Sequence, residues 1–371
     1  MIQVCTPLLG KNEKKYVLNC LSENYISSGG KYIRMFEEGF SRYCNCQYGI
    51  ATTNGTTALH LGLVTLGIRP GDEVIMPTFT IASTAFAAIY CGAKPVFVDS
   101  EKDTWNIDAD QIERKITSKT KVIMPVHIYG SPCQMTKITA IARKHHLKVI
   151  EDAAEAHGAE YFGHKVGGMS DLGCFSFYGN KIITCGEGGM VVTNNKKIAA
   201  RCKLLKNLAF LEKKRYWHKE VGFNYRMTNI QAALGLAQLE NIEELIEKRR
   251  KNAHLYNSLL CNVKGLTLPV ETNGTRNVYW MYSLVVEKEF GMSRDELMNQ
   301  LRKKDVETRA FFWPMHQQPI LKKMGLASKE RYPVADAIAR KGLYLPSSSG
   351  LTRSQIEYIV AAIKQIQRKR T

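Results

Sequence analysis

At 371 residues, with 44 % hydrophobic and 23 % charged side chains, the chain has the composition of a soluble globular protein long enough for two domains. No run of about 18 or more apolar residues occurs, which excludes a transmembrane helix, and the start MIQVCTPLLGKNEKKY lacks the order of a secretory signal, so a cytoplasmic location is expected. The formal net charge of +18 raises nucleic-acid binding as a possibility, yet no zinc-finger spacing or RNP-type strand accompanies it, and the densest runs, Lys248-Arg249-Arg250-Lys251 and Arg368-Lys369-Arg370, read as solvated helix faces.

In chain order, strands are expected at Glu73–Phe79, Pro95–Ser100, Val122–Tyr129, Lys148–Ala153, Cys174–Tyr178 and Met190–Asn194. Helical runs at Thr56–Leu66, Ile81–Tyr90 and Met135–His146 lie between them. This alternation predicts an α/β fold with a mixed, mostly parallel sheet covered by helices on both faces. Apolar residues at Leu236, Leu239, Ile242, Leu245 and Ile246 recur at helical spacing and predict one long amphipathic helix from Thr228 to about Leu260. Beyond it, Asn262–Asn277 is loop-rich and Val278–Val286 reads as a strand. Helices at Arg294–Lys303 and Arg353–Ile366 then alternate with short strands. The pattern predicts a large domain over 1–245 and a smaller α+β domain over 246–371, linked by the long helix.

The ten cysteines include no spacing of a zinc or redox motif, Cys44 and Cys46 being the closest pair. Cys91, Cys174 and Cys185 sit among apolar or small residues, and all ten are read as reduced core residues. His127, His157 and the His145-His146 pair form no ligand-spaced cluster, so no metal is expected.

The most informative stretch is Phe175-Ser176-Phe177-Tyr178-Gly179-Asn180-Lys181, followed by Gly186-Glu187-Gly188-Gly189. A lysine between a strand and a glycine-rich turn is placed to bond an aldehyde cofactor. Pyridoxal 5'-phosphate (PLP) chemistry needs such a lysine and an acidic partner for the pyridine nitrogen. Asp152, at the carboxyl end of an apolar strand, is that partner's candidate, because ligands of open α/β sheets bind there. Asn54-Gly55-Thr56-Thr57 opens a helix with a glycine turn and two hydroxyls, where free N–H groups and the helix dipole favour a phosphate. Ser176 could add a third hydroxyl.

These segments, with GTTALHLGLVTLGIRPGDEVIMPTFT, GAKPVFVDS, EDAAEAHGAEY and GFNYRMTNIQAALGLAQLE, resemble the DegT/DnrJ/EryC1/StrS sugar aminotransferases from about residue 5 to the C-terminus. The resemblance implies a fold-type-I, aspartate-aminotransferase-like architecture with the PLP site in the large domain. It implies Lys181 as the lysine bonded to the cofactor and Asp152 as the partner of its ring nitrogen. Glu155 matches a residue near the ring hydroxyl, and Gly55, Thr56, Thr57 and Ser176 fall in the phosphate-binding blocks. Asn224 matches an asparagine that reaches the phosphate from a neighbouring subunit, which implies a homodimer with shared sites. Arg309 and His316, in ETRAFFWPMHQQP, match a substrate-side block. Three departures bear on the substrate: Ile81 stands where an aromatic usually covers the ring, Phe86 replaces a frequent asparagine, and Lys206-Asn207-Leu208-Ala209-Phe210 lacks common glycines. YGNK, DTWNID and RYWHKEVGFNYRMTNIQAA resemble the branch that uses L-glutamate to aminate C4 of GDP-4-keto-6-deoxymannose, giving GDP-perosamine. The alternatives are a UDP- or dTDP-linked ketosugar and, in another class, a non-catalytic nucleotide-sugar or nucleic-acid-binding protein.

Overall fold

The computed structural model describes residues 1–211, 213–214, 216–327 and 330–368. Its main sheet has seven strands, in spatial order Tyr48–Thr52, Gly189–Thr193, Leu172–Ser176, Lys148–Asp152, Thr120–Ile123, Glu73–Pro77 and Lys94–Val98. Of these, Gly189–Thr193 alone runs against its neighbours, and the remaining pairings are parallel. The central strands Glu73–Pro77, Leu172–Ser176 and Gly189–Thr193 are buried along their whole length, as expected where helices cover both faces of a sheet and the strands read as continuous apolar runs.

The expected strands of this sheet occur within two residues of their predicted starts but stop sooner, whereas the expected Val278–Val286 begins only at Tyr282 and ends as predicted. Val122–Tyr129 shrinks to Thr120–Ile123, because the backbone then turns into a short helical segment where Tyr129 takes φ 52°. Tyr48–Thr52 and the helices Lys11–Ser22 and Lys31–Tyr43 precede every element expected from the pattern. The long helix is two helices, Asn229–Glu240 and Ile242–Leu260, broken at Asn241 with φ −114° and ψ 13°. The apolar spacing runs unbroken through the kink, so periodicity could not reveal it.

A second, antiparallel sheet contains Leu266–Thr267, Tyr282–Val286, Gly342–Leu345 and Arg309–Ala310 in that spatial order. Helices Ile242–Leu260, Arg294–Arg302 and Arg353–Arg368 pack on it around Tyr256, Leu284, Leu297, Leu343, Ile359 and Ile363. The extreme N-terminus joins this unit: Ile2 bridges Val306, and Val4 N donates to Glu307 at 2.9 Å.

The Lys248–Lys251 run is not the solvated face expected. Arg249 is 3 % exposed and donates to the carbonyls of Trp280 at 2.6 Å and Ser347 at 3.0 Å, while Arg250 pairs with Glu271. Helical spacing places Arg249 on the buried face of Leu245, Ile246 and Ala253, where three backbone and hydroxyl acceptors satisfy its charge. Lys369 and Arg370 of the other run lie outside the described residues. Cysteine behaviour also departs at two positions, Cys5 being half-buried and Cys261 exposed. No helix among the described residues is long and apolar enough to cross a membrane.

Candidate active site

The parallel strands deliver their last residues to one place. Asp152 ends Lys148–Asp152 and Ser176 ends Leu172–Ser176, and both open onto a cavity of ≈ 430 Å³, within the size range of small-molecule sites. Gly55, Thr56, Ile81, Lys181 and Arg309 line the same cavity. Seven residues singled out in sequence, separated by up to 254 positions (309 − 55), therefore converge.

Lys181 is buried. Burial lowers the pKa of its amine, while the carboxylates of Glu155 and Asp152 pull it back up. Those two acids respond in the opposite sense: burial raises both, and Lys181 draws both down. Asp152 is held on each oxygen, by the Thr84 hydroxyl at 2.8 Å and the Ala154 N–H at 3.2 Å. Glu155 accepts the Tyr129 N–H at 2.7 Å, the donor being presented by the left-handed backbone at Tyr129. The site thus holds one amine and two carboxyls in a desolvated space, an arrangement that poises groups for proton transfer.

On the same cavity, Asn54 caps helix Gly55–Thr65 by accepting from Thr57 N at 2.9 Å. The Thr57 hydroxyl is taken up by the same cap, bonding Asn54 O at 2.8 Å and Asn54 N at 3.1 Å, so Thr57 supports the turn and is not among the cavity-lining residues. The first turn of the helix keeps the Gly55 and Thr56 N–H groups for a ligand. Gly55 is required by close approach, since a Cβ there would lie 2.7 Å from the Ser176 Cβ. An anion cradle, a buried acid and a buried amine on one cavity fit PLP: the cradle would take its phosphate, Asp152 its ring nitrogen and Lys181 its aldehyde carbon.

Ile81 is 43 % exposed at the cavity wall and offers an aliphatic surface where a ring would lie. Arg309, also exposed, reaches the cavity from the second sheet beside Tyr344. Besides Thr57, three sequence candidates stand off the cavity. Glu155 is buried behind it. Asn224 is exposed and bonded to Arg226 at 2.8 Å. His316 spends both ring nitrogens, on Thr78 at 2.8 Å and Asp336 at 3.1 Å, and packs on Tyr332. His157 is enclosed by the rings of Phe40, Phe175 and Phe177, and burial pushes its pKa down to about 3. Sequence reasoning missed Ser83, Tyr178, Asn180, Trp280, Phe312 and Tyr344 on the cavity wall. Tyr178 and Asn180 lie within the Phe175–Lys181 stretch and were within reach; Trp280, in the bend just before strand Tyr282–Val286, and Tyr344, from the second sheet, carried no local signal.

Residues 7–364 match the family model described as the DegT/DnrJ/EryC1/StrS aminotransferase family. The chain is similar to the GDP-perosamine synthase of Caulobacter vibrioides, at 45 % identity over 98 % of each chain. It is similar to that of Vibrio cholerae at 43 % identity, again over 98 % of each. Among solved structures, a putative sugar aminotransferase from Streptococcus pneumoniae in its PLP-form superposes with a TM-score of 0.93 at 26 % identity, covering 100 % of this chain and 99 % of that one.

Proposed function

The chain belongs to the DegT/DnrJ/EryC1/StrS aminotransferase family, and from that premise we propose that it is a PLP-dependent enzyme transferring the amino group of L-glutamate to C4 of GDP-4-keto-6-deoxymannose, forming GDP-perosamine. The observation that carries the chemistry is the meeting of Lys181 and Asp152 on one cavity beside the Gly55–Thr56 cradle. The choice of sugar is supported by the two GDP-perosamine synthases, at 45 % and 43 % identity along nearly the whole chain. Such a product belongs to surface-polysaccharide synthesis, and a cytoplasmic enzyme would meet its nucleotide-sugar substrate there.

PLP, when bound, supplies an aldehyde that bonds amines and a protonated ring that draws electrons from the bond being broken. Gly55, Thr56 and Ser176 would hold the phosphate, and Asp152 would keep the ring nitrogen protonated. Lys181 Nζ takes the proton from the α-carbon of glutamate and, in the second half-reaction, delivers one to C4 of the sugar. The depressed pKa caused by burial leaves its amine neutral more of the time than a surface lysine's, as a base requires. Glu155 holds the neighbouring Tyr129 turn and faces the amine as a countercharge. Arg309 is the cation available to the anionic substrate. Asn224, exposed and away from its own chain's cavity, would complete the phosphate site of a second subunit, so the working unit is a homodimer. Residues 1–245 would form the large PLP-binding domain and 246–371 the small C-terminal domain.

The test is the absorbance spectrum of PLP-loaded protein, before and after glutamate and then the GDP-ketosugar. A visible band bleached by glutamate and restored by this sugar supports the proposal. Restoration only by a UDP- or dTDP-linked ketosugar would transfer the substrate assignment, and absence of any band would end the PLP reading.

A further inference from the structure

Lys181 Nζ lies 3.7 Å from the ring centroid of Trp280, well inside the ~6 Å over which an indole face attracts a cation. Trp280 is held from several sides. It is 3 % exposed. Its Nε1 donates to the Asn180 carbonyl at 2.8 Å, and its own carbonyl accepts from Arg249 at 2.6 Å. Tyr129 stacks on it, 6.3 Å between centroids and 28° between planes. Because Asn180 immediately precedes Lys181, the indole grips the backbone beside the lysine while its face covers the lysine's amine.

We propose that Trp280 is a positioning residue for Lys181: its indole face is the resting place of the amine whenever that amine is free, and by favouring the ammonium it sets how readily Lys181 exchanges its proton. The proposal rests on the reading of Lys181 as the catalytic lysine. The groups facing this amine are Asp152 at the end of a first-sheet strand, Glu155 in the turn that follows it, and Cys5 from the N-terminal segment, whose Sγ donates to Asn180 O at 3.3 Å. Arg249 stands behind Trp280 and reaches Cys5 at 3.5 Å. His157, neutral through burial, lies beyond. Arg309 and Tyr344 line the same cavity from the second sheet. The two carboxyls favour a positive amine from one side; the indole face adds an attraction from the other. A lysine that must release one partner and return to it gains from a fixed position within reach, because misplacement by even an ångström slows such steps.

The test replaces Trp280, in the full-length protein, by 5-fluoro- and then 5,7-difluorotryptophan through nonsense suppression. Fluorine drains the negative ring face with little change of shape, so the fold is preserved. The readout is the pH dependence of Lys181 acetylation by acetic anhydride, followed by mass spectrometry of its peptide. Removing an attraction to the ammonium lowers the pKa of the amine, so the midpoint of labelling is expected to fall stepwise along the series, by about one pH unit when the ring face is lost in Trp280→Leu. Trp280→Phe, which keeps a weaker face, should shift it less. The pH profile of turnover should move to lower pH in the same order, with KM for glutamate held within about twofold, as for a group that acts on the proton-transferring amine and not on donor binding. A midpoint unmoved by fluorination overturns the proposal. PLP protection of Lys181 from acetylation in the wild type separates the two readings: protection with an unmoved midpoint defeats Trp280 alone, whereas no protection defeats Lys181 as cofactor lysine and Trp280 with it.

Discussion

Replacing Asp152 by Asn isolates the charge of the buried acid from its shape. Both carboxylate oxygens act as acceptors, from Thr84 Oγ1 at 2.8 Å and Ala154 N at 3.2 Å. An asparagine can keep its oxygen on the Ala154 N–H and turn its NH₂ to the Thr84 hydroxyl, which then donates to Thr80 Oγ1, 2.9 Å away. The local hydrogen bonds are therefore satisfiable and the fold should survive. What is lost is the anion opposite the protonated ring nitrogen. A hydrogen bond to a charged group contributes about 1.5–3 kcal/mol, so PLP should bind roughly 10- to 150-fold more weakly, and turnover should fall because the ring nitrogen no longer stays protonated. The pH dependence has a definite sign. Burial raises the Asp152 pKa, so in the wild type the carboxylate, and the affinity it confers, is present at higher pH and is lost as pH falls toward and through that raised value, above the ordinary aspartate range near ~3.9. Asp152→Asn has no such titration. The assay is PLP affinity by absorbance from mildly acidic to alkaline pH. Equal affinity and equal turnover for the variant at neutral pH would refute the assignment of Asp152.

Lys181→Ala should abolish the visible cofactor band and turnover together; a variant that still transaminates at near wild-type rate would remove Lys181 from the mechanism. Gly55→Ala places a Cβ 2.7 Å from Ser176 Cβ, and overpacking of about 1–3 kcal/mol should weaken PLP retention roughly 5- to 150-fold, measured by dialysis against phosphate. Asn224→Ala, exposed and off its own cavity, should weaken PLP retention only in the dimer, which sedimentation of the variant alongside its cofactor content will show. Burial raises the thiol pKa of Cys44, Cys133 and Cys174, whereas Cys261 is exposed; mass spectrometry after brief treatment with a thiol reagent at pH 8 should find Cys261 modified first.

The reach of the sequence differs between the two sides of the cavity. Lys181, Asp152, Gly55 and Ser176 were legible because each sits at a junction between strand and turn or helix, and in a parallel α/β sheet the carboxyl ends of strands share one edge. A local pattern at each junction therefore implies a common site. Thr57 shows where that reasoning stops: hydroxyl and spacing suit a phosphate, yet the capping geometry uses the hydroxyl on Asn54. Arg249 misled for a related reason, since a run of four cations reads as solvated until helical phase turns one of them onto buried carbonyls.

By itself, then, the sequence determined the layered fold, the cofactor chemistry and the residues at the ends of the first sheet, because these depend on short-range periodicity and on motifs within a few residues of one another. The tertiary structure decided the rest. It broke the helix at Asn241, withdrew His316 to Thr78 and Asp336, and brought Trp280, from the bend leading into strand Tyr282–Val286, over Lys181 at 3.7 Å. The His316–Thr78 and Trp280–Lys181 contacts join residues about a hundred or more positions apart, and no local propensity specifies such a meeting; it follows only from how separately packed parts of the chain close on one cavity.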